Sequence, residues 1–291
     1  MESTRVGFIG LGNMGMLVAK KLVKSGLPLT VYDLRKEPLE EMRALGAAAA
    51  GSSREVALAS DVIISMVRDI PETDEALFGR DGVWQGAREG ATIVISSTVS
   101  PAYCRSLHAR ARQRGVQVID AAVSTETRDF TPGRESAELT LMIGGEDEAV
   151  NRCWPVFQAM AKNVFHLGGV GTGQACKLVN NLAMLGNEMV ARECLNLGIM
   201  AGLDLAQLIE AMRVSTGSSR SLGTISRRLS QPAPRLTVPE AKAPRQDLRS
   251  KDRELALEMA EAVAANVPLA RIMAELEEAS PYSALSALIG R

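Results

Sequence analysis

The chain has 291 residues, of which 46% are hydrophobic and 23% are charged, a composition typical of a folded protein with one large domain or two. Its formal net charge of -1 gives no basic field that would favour nucleic acid. The four cysteines show no C-x-x-C spacing, so neither a disulfide framework nor a bound metal is expected. The N-terminus has no signal-peptide core, and no apolar run is long enough for a membrane anchor. Together these features predict a cytoplasmic protein.

The first half of the chain alternates short apolar strands with helical stretches. Strands are predicted at residues 5–10, 29–33, 61–67, 91–97, 115–123 and 139–145. Near-continuous apolar strands separated by helices are typical of sheets that are covered on both faces. The pattern therefore predicts a doubly wound α/β sheet that is parallel over at least its first strands.

A glycine-rich turn, GLGNMG, follows the first predicted strand and opens the first helix. Gly10 permits the tight turn, Gly12 lets the backbone approach a pyrophosphate, and Gly15 lets the helix pack on the sheet. The N-terminus of that helix then faces the phosphates. The sequence predicts a dinucleotide-binding loop made of these glycines with Leu11, Asn13 and Met14.

The end of the second predicted strand favours NAD over NADP. Asp33 follows the turn at the spacing where a carboxylate accepts hydrogen bonds from the ribose hydroxyls and repels a 2′-phosphate. Arg35 and Lys36 leave the alternative open, because either side chain could meet a 2′-phosphate.

Further cofactor contacts are expected beyond the carboxyl ends of the later strands, where doubly wound sheets bind their ligands. Val67 ends the third predicted strand, Ser97 ends the next one, and Thr98 follows it before a helix that starts at Pro101. We predict that Val67 and Thr98 contact the cofactor, although the two hydroxyl residues also suit helix capping.

The second half of the chain is predicted to be helical. Helices are expected at 172–202, 205–212, 252–265 and 269–279, with a proline-bearing loop at 230–250. The chain is therefore predicted to contain a dinucleotide-binding domain, residues 1–167, and an all-helical substrate and dimerisation domain, residues 168–291.

Lys177 and Asn181 lie four residues apart near the start of the long helix, and therefore on one of its faces. Beside a nicotinamide, a lysine could exchange a proton with an oxygen whose carbon gains or loses a hydride. Asn181 could hold the amine or the substrate without adding charge. The alternative is a surface lysine whose stem covers the helix, followed by asparagines that act as caps.

The chain resembles the β-hydroxyacid dehydrogenase family over nearly its whole length. The resemblance rests on four blocks, which are, in order, GFIGLGNMG, DAAVS, GVGTGQACKLVNN and SKDRELALEMA. The resemblance implies a Rossmann-type doubly wound α/β domain, a long interdomain helix, an all-α domain and assembly as homodimers or homotetramers. It implies reversible hydride transfer between NAD(P) and the hydroxyl or carbonyl carbon of a small β-hydroxy acid or semialdehyde acid, without a metal.

The resemblance also assigns roles to individual residues. Thr98 is placed on the nicotinamide side, and Lys177 is the general acid and base, assisted by Asn181. The remaining residues are Ser124 and Thr125 at the substrate, and Lys251 beside both nicotinamide and substrate.

One block departs from the family pattern. Thr125 and Glu126 stand where the family usually has two glycines that cradle the substrate carboxylate. A carboxylate at Glu126 would oppose an anionic substrate unless Arg128 or Arg134 offset it. The sequence therefore leaves the substrate open and allows a bulkier or less anionic one.

Two other functions are consistent with parts of this pattern. An imine reductase-type NADPH enzyme would share the scaffold, but such enzymes generally lack the lysine found at Lys177. A non-catalytic dinucleotide-binding protein would be expected to lose some of the site, whereas Ser124, Lys177, Asn181 and Lys251 are all present.

Overall fold

The computed structural model describes residues 4–125, 138–230 and 248–279. The chain divides into two compact units, Met1–Lys177 and Leu178–Arg291. Within the described residues, the first unit contains one eight-stranded sheet made of β1 (Val6–Ile9), β2 (Leu29–Tyr32), β3 (Ala48–Ala49), β4 (Val62–Ser65), β5 (Thr92–Ile95), β6 (Gln117–Thr125), β7 (Leu139–Gly144) and β8 (Asn163–His166).

The strand order across the sheet is β3-β2-β1-β4-β5-β6-β7-β8. The strands from β1 to β6 run parallel, whereas β7 is antiparallel to β6 and β8 is parallel to β7. The carboxyl ends of β4, β5 and β6 therefore lie side by side at one edge of the sheet.

Six helices connect the strands in the part of the first unit that the structure describes. They are α1 (Asn13–Lys24), α2 (Lys36–Ala44), α3 (Ser53–Ala59), α4 (Ile70–Phe78), α5 (Pro101–Arg112) and α6 (Asp147–Met160). Ser52, Asp69 and Ser100 each accept a hydrogen bond from the backbone N–H three residues later. These caps satisfy exposed helix donors and so fix where α3, α4 and α5 begin.

Helices cover both faces of the sheet, which explains its near-continuous apolar strands. Alternate residues of one strand enter opposite layers: Phe8 joins the core beneath α1 and α6, and Ile9 joins the core beneath α3, α4 and α5. β1, β4 and β5 are buried along their whole length. The predicted doubly wound sheet is confirmed.

The predicted strands all overlap observed ones, with most bounds shorter by one or two residues. The sequence does not predict β3, because its two alanines show neither alternation nor β-branched side chains. β3 pairs only with the edge of β2, where Thr30 lies opposite Ala48.

The second unit is helical throughout the residues that the structure describes. α8 (Leu205–Arg213), α9 (Arg220–Ser230), α10 (Leu248–Ala262) and α11 (Pro268–Ala279) join the greater part of α7 (Thr172–Met200). Its core consists of Ala191, Leu195, Ile209, Leu222 and Ile225. In the described chain, no helix combines the length and the apolar character that a membrane crossing requires.

The four predicted helices of this half correspond to α7, α8, α10 and α11, and α9 is an addition. The sequence does not predict α9 because, over residues 220–227, Leu222 and Ile225 are the only buried apolar side chains among serines and arginines. Of the predicted loop at 230–250, residues 231–247 lie outside the described ranges, and α10 begins earlier than predicted, at Leu248.

The two units divide within α7, between residues 177 and 178, whereas the predicted boundary lies between 167 and 168. The start of α7 belongs with the sheet because its backbone packs directly against the backbone of β7. A Cβ on Gly173 would lie 2.4 Å from the carbonyl oxygen of Met142 in β7.

Candidate active site

The glycine-rich turn after β1 adopts a backbone that its glycines make possible. Gly10 has a φ of +95°, and a Cβ there would lie 2.4 Å from the carbonyl oxygen of Met66. A Cβ on Gly15 would lie 2.0 Å from the carbonyl oxygen of Gly10. Neither position accepts a side chain unless the backbone moves.

Gly12 has a different environment. A Cβ there would meet no atom within 4 Å, so the space in front of α1 is open. Gly12 caps α1 without a side-chain hydrogen bond, and the first turn of α1 carries no acidic residue. The N–H groups at this helix end are therefore directed at a space that an anion can occupy. With Leu11, Asn13 and Met14, the turn forms a cradle that fits a pyrophosphate.

Asp33 follows β2 and contacts this turn directly. Its carboxylate accepts hydrogen bonds from the Leu11 N–H at 2.7 Å and from the backbone N–H and Nε of Arg35, both at 2.9 Å. Burial alone would raise the pKa of Asp33, but these hydrogen bonds and the Arg35 charge together hold it below its usual value. Asp33 is therefore an anion at neutral pH, and Arg35 lies against it.

The loops after β4 and β5 are tied together and to α7. The Val67 N–H donates to Ser97 Oγ at 2.9 Å. The side chain of Gln174, in the first turn of α7, donates to the Ser97 carbonyl oxygen at 2.7 Å and accepts from the Val99 N–H at 3.2 Å. Thr98 lies between these two peptide groups and is half-buried.

The start of α7 is held by a buried carboxylate on β6. Asp120 accepts hydrogen bonds from the N–H of Gly171 at 2.5 Å and of Gln174 at 2.7 Å, and its side chain has no exposed surface. Burial raises the pKa of Asp120 to about 6, although these backbone hydrogen bonds act in the opposite direction. Asp120 is thus a side-chain cap for the helix that carries Lys177.

Lys177 lies one turn after Gln174 on α7 and is half-buried. Ser124 and Thr125 close β6 opposite Thr140 and Leu139 of β7, and both are half-buried. The expected charge of the substrate site depends on three further residues. These residues, Glu126, Arg128 and Arg134, lie outside the part of the chain that the structure describes.

Asn181 and Lys251 belong to the second unit. Asn181 is 3% exposed, and its Nδ2 donates to the Asp252 carboxylate at 2.8 Å. The Nζ of Lys251 lies 3.8 Å from the same carboxylate, and both side chains are largely covered. The second unit therefore brings Asn181 and Lys251 to one acidic residue on α10.

The predicted site residues are divided between the two units. The sheet unit carries the glycine-rich turn, Asp33, Val67, Thr98, Ser124, Thr125 and Lys177, and the helical unit carries Asn181 and Lys251. The sequence does not predict Asp120, Gln174 and Asp252 as site residues, although each lies within one of the four blocks that resemble the family. Among the residues that the structure describes, no group of three or more His, Cys, Asp or Glu could hold a metal ion.

Known families and proteins resemble the chain over both units. Residues 5–168 match the family model for the NAD binding domain of 6-phosphogluconate dehydrogenase, and residues 171–284 match the model for the NAD-binding of NADP-dependent 3-hydroxyisobutyrate dehydrogenase. An NAD-dependent L-serine dehydrogenase from Pseudomonas aeruginosa is 34% identical, with 94% of this chain and 90% of that protein covered. A Mycobacterium tuberculosis 3-hydroxyisobutyrate dehydrogenase solved with L-serine has a TM-score of 0.78 and 29% identity, with 99% and 98% of the two chains covered.

Imine reductases resemble the chain less closely. The structure of the Myxococcus stipitatus enzyme with NADP+ has a TM-score of 0.65 and 21% identity, with 98% of this chain and 99% of that chain covered. At that identity the likeness extends to the fold alone.

Proposed function

Because the chain belongs to the β-hydroxyacid dehydrogenase family, we propose that it transfers a hydride between NAD and the hydroxyl-bearing carbon of a small β-hydroxy acid, with Lys177 as general acid and base. Family membership makes the chain an NAD(P)-binding oxidoreductase of the class that acts on small hydroxy acids. One observation supports the role of Lys177. Lys177 directly follows the first turn of α7, and hydrogen bonds of Gln174 to Asp120 and to the peptide groups on either side of Thr98 hold that turn in place.

The protein moves the proton of this reaction. When bound, the nicotinamide supplies the hydride acceptor for oxidation and the hydride donor for reduction. Lys177 takes the proton of the substrate hydroxyl during oxidation and returns it to the carbonyl oxygen during reduction. Ser124 and Thr125 bind the substrate, Lys251 attracts its carboxylate, and Asn181 orients it without adding charge.

We propose NAD as the preferred cofactor. Asp33 is ionised at neutral pH and lies beside the glycine-rich turn, so it accepts hydrogen bonds from ribose hydroxyls and repels a 2′-phosphate. Arg35 lies against Asp33 and is 57% exposed, so it reduces that repulsion without abolishing it. The expected preference for NAD is therefore moderate.

We propose a substrate of about the size of L-serine. An L-serine dehydrogenase is among the relatives, and a similar structure was solved with L-serine. The ammonium group of such a molecule makes it less anionic than a simple hydroxy acid. That property agrees with the replacement of the family's two glycines by Thr125 and Glu126.

We further propose that the chain acts in the cytoplasm as a homodimer or homotetramer, without nucleic-acid or membrane partners. Its four cysteines are free thiols, as expected in a reducing compartment. α7 presents an apolar stripe to solvent, since Val179, Val190, Leu197 and Met200 are 59–73% exposed. Light scattering should give the mass of a dimer or tetramer, and Val190→Asp should weaken it. A monomer at micromolar concentration would contradict this assembly.

The function is tested by measuring NADH and NADPH formation separately, with the purified chain and either L-serine or β-hydroxy acids without an amino group, such as 3-hydroxyisobutyrate. We expect turnover with at least one of them, faster with NAD. Faster turnover with NADP would contradict the role of Asp33. Silence with all substrates, while cofactor still binds, would contradict the proposed substrate class.

A further inference from the structure

Gln174 exchanges no proton and binds no substrate in the reaction proposed above, yet its side chain has no exposed surface. Resting on the function proposed above, we propose that Gln174 is a positioning residue, which holds Thr98 and Lys177 in a fixed relation for hydride transfer. A buried amide carries both a donor and an acceptor, and each requires a partner. Here both partners belong to one loop.

The Gln174 amide holds the backbone on both sides of Thr98. Its Nε2 donates to the carbonyl oxygen of Ser97 at 2.7 Å, and its Oε1 accepts from the N–H of Val99 at 3.2 Å. Because the peptide groups before and after Thr98 are both bound, the backbone at Thr98 cannot rotate unless a buried hydrogen bond breaks. The position of the Thr98 side chain is therefore set by α7.

The backbone of Gln174 is itself held by a hydrogen bond. The N–H of Gln174 donates to Asp120 at 2.7 Å, and Asp120 also holds the N–H of Gly171. Lys177 follows Gln174 by three residues in the continuous helix α7, so the two side chains are neighbours on its surface. One residue thus joins the loop of Thr98 to the helical turn of Lys177.

The hydrogen bonds continue to the neighbouring loop. Ser97, whose carbonyl oxygen binds Gln174, accepts the N–H of Val67 through its hydroxyl at 2.9 Å. Val67 follows β4, Ser97 follows β5 and Asp120 lies on β6, and these strands are adjacent in the sheet. The three proposed contacts Val67, Thr98 and Lys177 are therefore connected through Gln174 across the carboxyl edge of the sheet.

Only a side chain that both donates and accepts can fill this position. Leucine has nearly the same size but would leave the Ser97 carbonyl and the Val99 N–H without their partner. An ionised glutamate could accept from Val99, but it would place a carboxylate oxygen against the Ser97 carbonyl. A protonated glutamate could serve both groups, because it carries an O–H donor.

The test compares Gln174→Leu with Ser60→Ala in the whole chain. Ser60 is the matched control, because it is 1% exposed and its Oγ donates to the Val56 carbonyl at 2.7 Å, before β4 rather than after it. We expect Gln174→Leu to lower kcat on the order of 10²-fold, the size of effect that a misplacement of about 1 Å can cause. The Kd for NAD should change less than about threefold, since the glycine-rich turn is intact.

A second measurement does not depend on activity. Hydrogen exchange of the backbone amides at 97–99 should become faster in Gln174→Leu and stay unchanged in Ser60→Ala. Wild-type kcat in Gln174→Leu, unchanged exchange at 97–99, or an equal loss of kcat in Ser60→Ala would each overturn the inference. An active Lys177→Met enzyme would instead overturn the proposed role of Lys177 and leave the exchange result standing, whereas a wild-type chain without hydride transfer to NAD or NADP would overturn the proposed function.

Gln174→Glu provides an independent test should the leucine variant fail to fold. The ratio of its kcat to that of the wild type should rise as the pH falls from 8 to 5, because protonation restores the donor to Ser97. Asp120 on β6 and Lys177 on α7, the charged side chains described above beside this position, are present in both enzymes, so taking the ratio removes most of the effect of their own titration. A ratio that stays flat across this range would overturn the positioning role.

Discussion

Asn181 on α7 donates its side-chain amide to the carboxylate of Asp252 on α10, over 2.8 Å. The amide orientation of Asn181 is thereby set, with the nitrogen toward Asp252 and the oxygen turned away from it. Asn181 is almost fully buried, so its amide cannot replace this partner with bulk water.

We expect Asp252→Ala to lower the free energy of unfolding by about 1–3 kcal/mol, because a buried donor loses its acceptor. Turnover should also fall, by roughly tenfold, as Asn181 loses its fixed orientation. Urea unfolding and steady-state kinetics measure the two effects. Asp204→Ala, which removes the N-terminal cap of α8 in the same unit, is the control for stability loss alone. Equal turnover in both variants would contradict the role of Asp252.

Lys177→Met should abolish most of the turnover and leave NAD binding unchanged. The methionine keeps an unbranched apolar stem but cannot carry a proton, and general acid–base catalysis is worth on the order of 10²–10⁴-fold. Steady-state rates and fluorescence titration with NADH measure the two quantities. Lys21→Met, near the end of α1, should behave as the wild type. Persistent turnover in the Lys177 variant would remove this residue from the chemistry.

Arg35→Ala should sharpen the preference for NAD. The guanidinium lies against Asp33 and is the group best placed to meet a 2′-phosphate, so kcat/KM with NADP should fall about tenfold or more. The value with NAD should stay within about threefold. Lys36→Ala is the matched control, one residue further along. An unchanged ratio of the two kcat/KM values would show that Arg35 does not contact the cofactor.

Asp120 should give stability a pH dependence of unusual sign. Burial raises its pKa to about 6 in the fold from an ordinary value of 3.8, so the folded state binds its proton more tightly than the unfolded chain. Its contribution to the free energy of unfolding therefore decreases as the pH rises from about 4 to 6, by at most about 3 kcal/mol, and is constant above that window.

Urea unfolding at several pH values between 4 and 7 tests this expectation. Asp33 and Asp61, whose pKa values are lowered, contribute stability that increases with pH, mainly below about pH 5, so a decrease between pH 5 and 6 comes from neither of them. Asp120→Asn should lack the decrease between pH 4 and 6, because its side-chain amide does not titrate in this range. A decrease of the same size in the variant would assign it to other groups.

The doubly wound sheet and the glycine-rich turn can be read from the sequence because the signals are local. The apolar strands and the spacing of Gly10, Gly12 and Gly15 each occupy a few consecutive residues. Gln174 and Asp120 could not be found that way. Gln174 binds a peptide group 75 residues earlier, and Asp120 binds a backbone group 54 residues later. Only the fold brings these partners together, and an isolated glutamine or aspartate has no pattern that reveals a buried role.

The hydrogen bond from the Leu11 N–H to Asp33 has a consequence for how cofactor use can change in this lineage or in the laboratory. The carboxylate that we propose to discriminate between the two cofactors is also the acceptor of a backbone N–H in the glycine-rich turn. A replacement that removes the hydrogen-bond acceptor together with the charge, such as alanine, would reduce the repulsion of a 2′-phosphate and also loosen the glycine-rich turn. Redirecting the enzyme to NADP therefore requires a neutral residue at position 33 that still accepts this N–H, such as asparagine or serine, together with a retained Arg35.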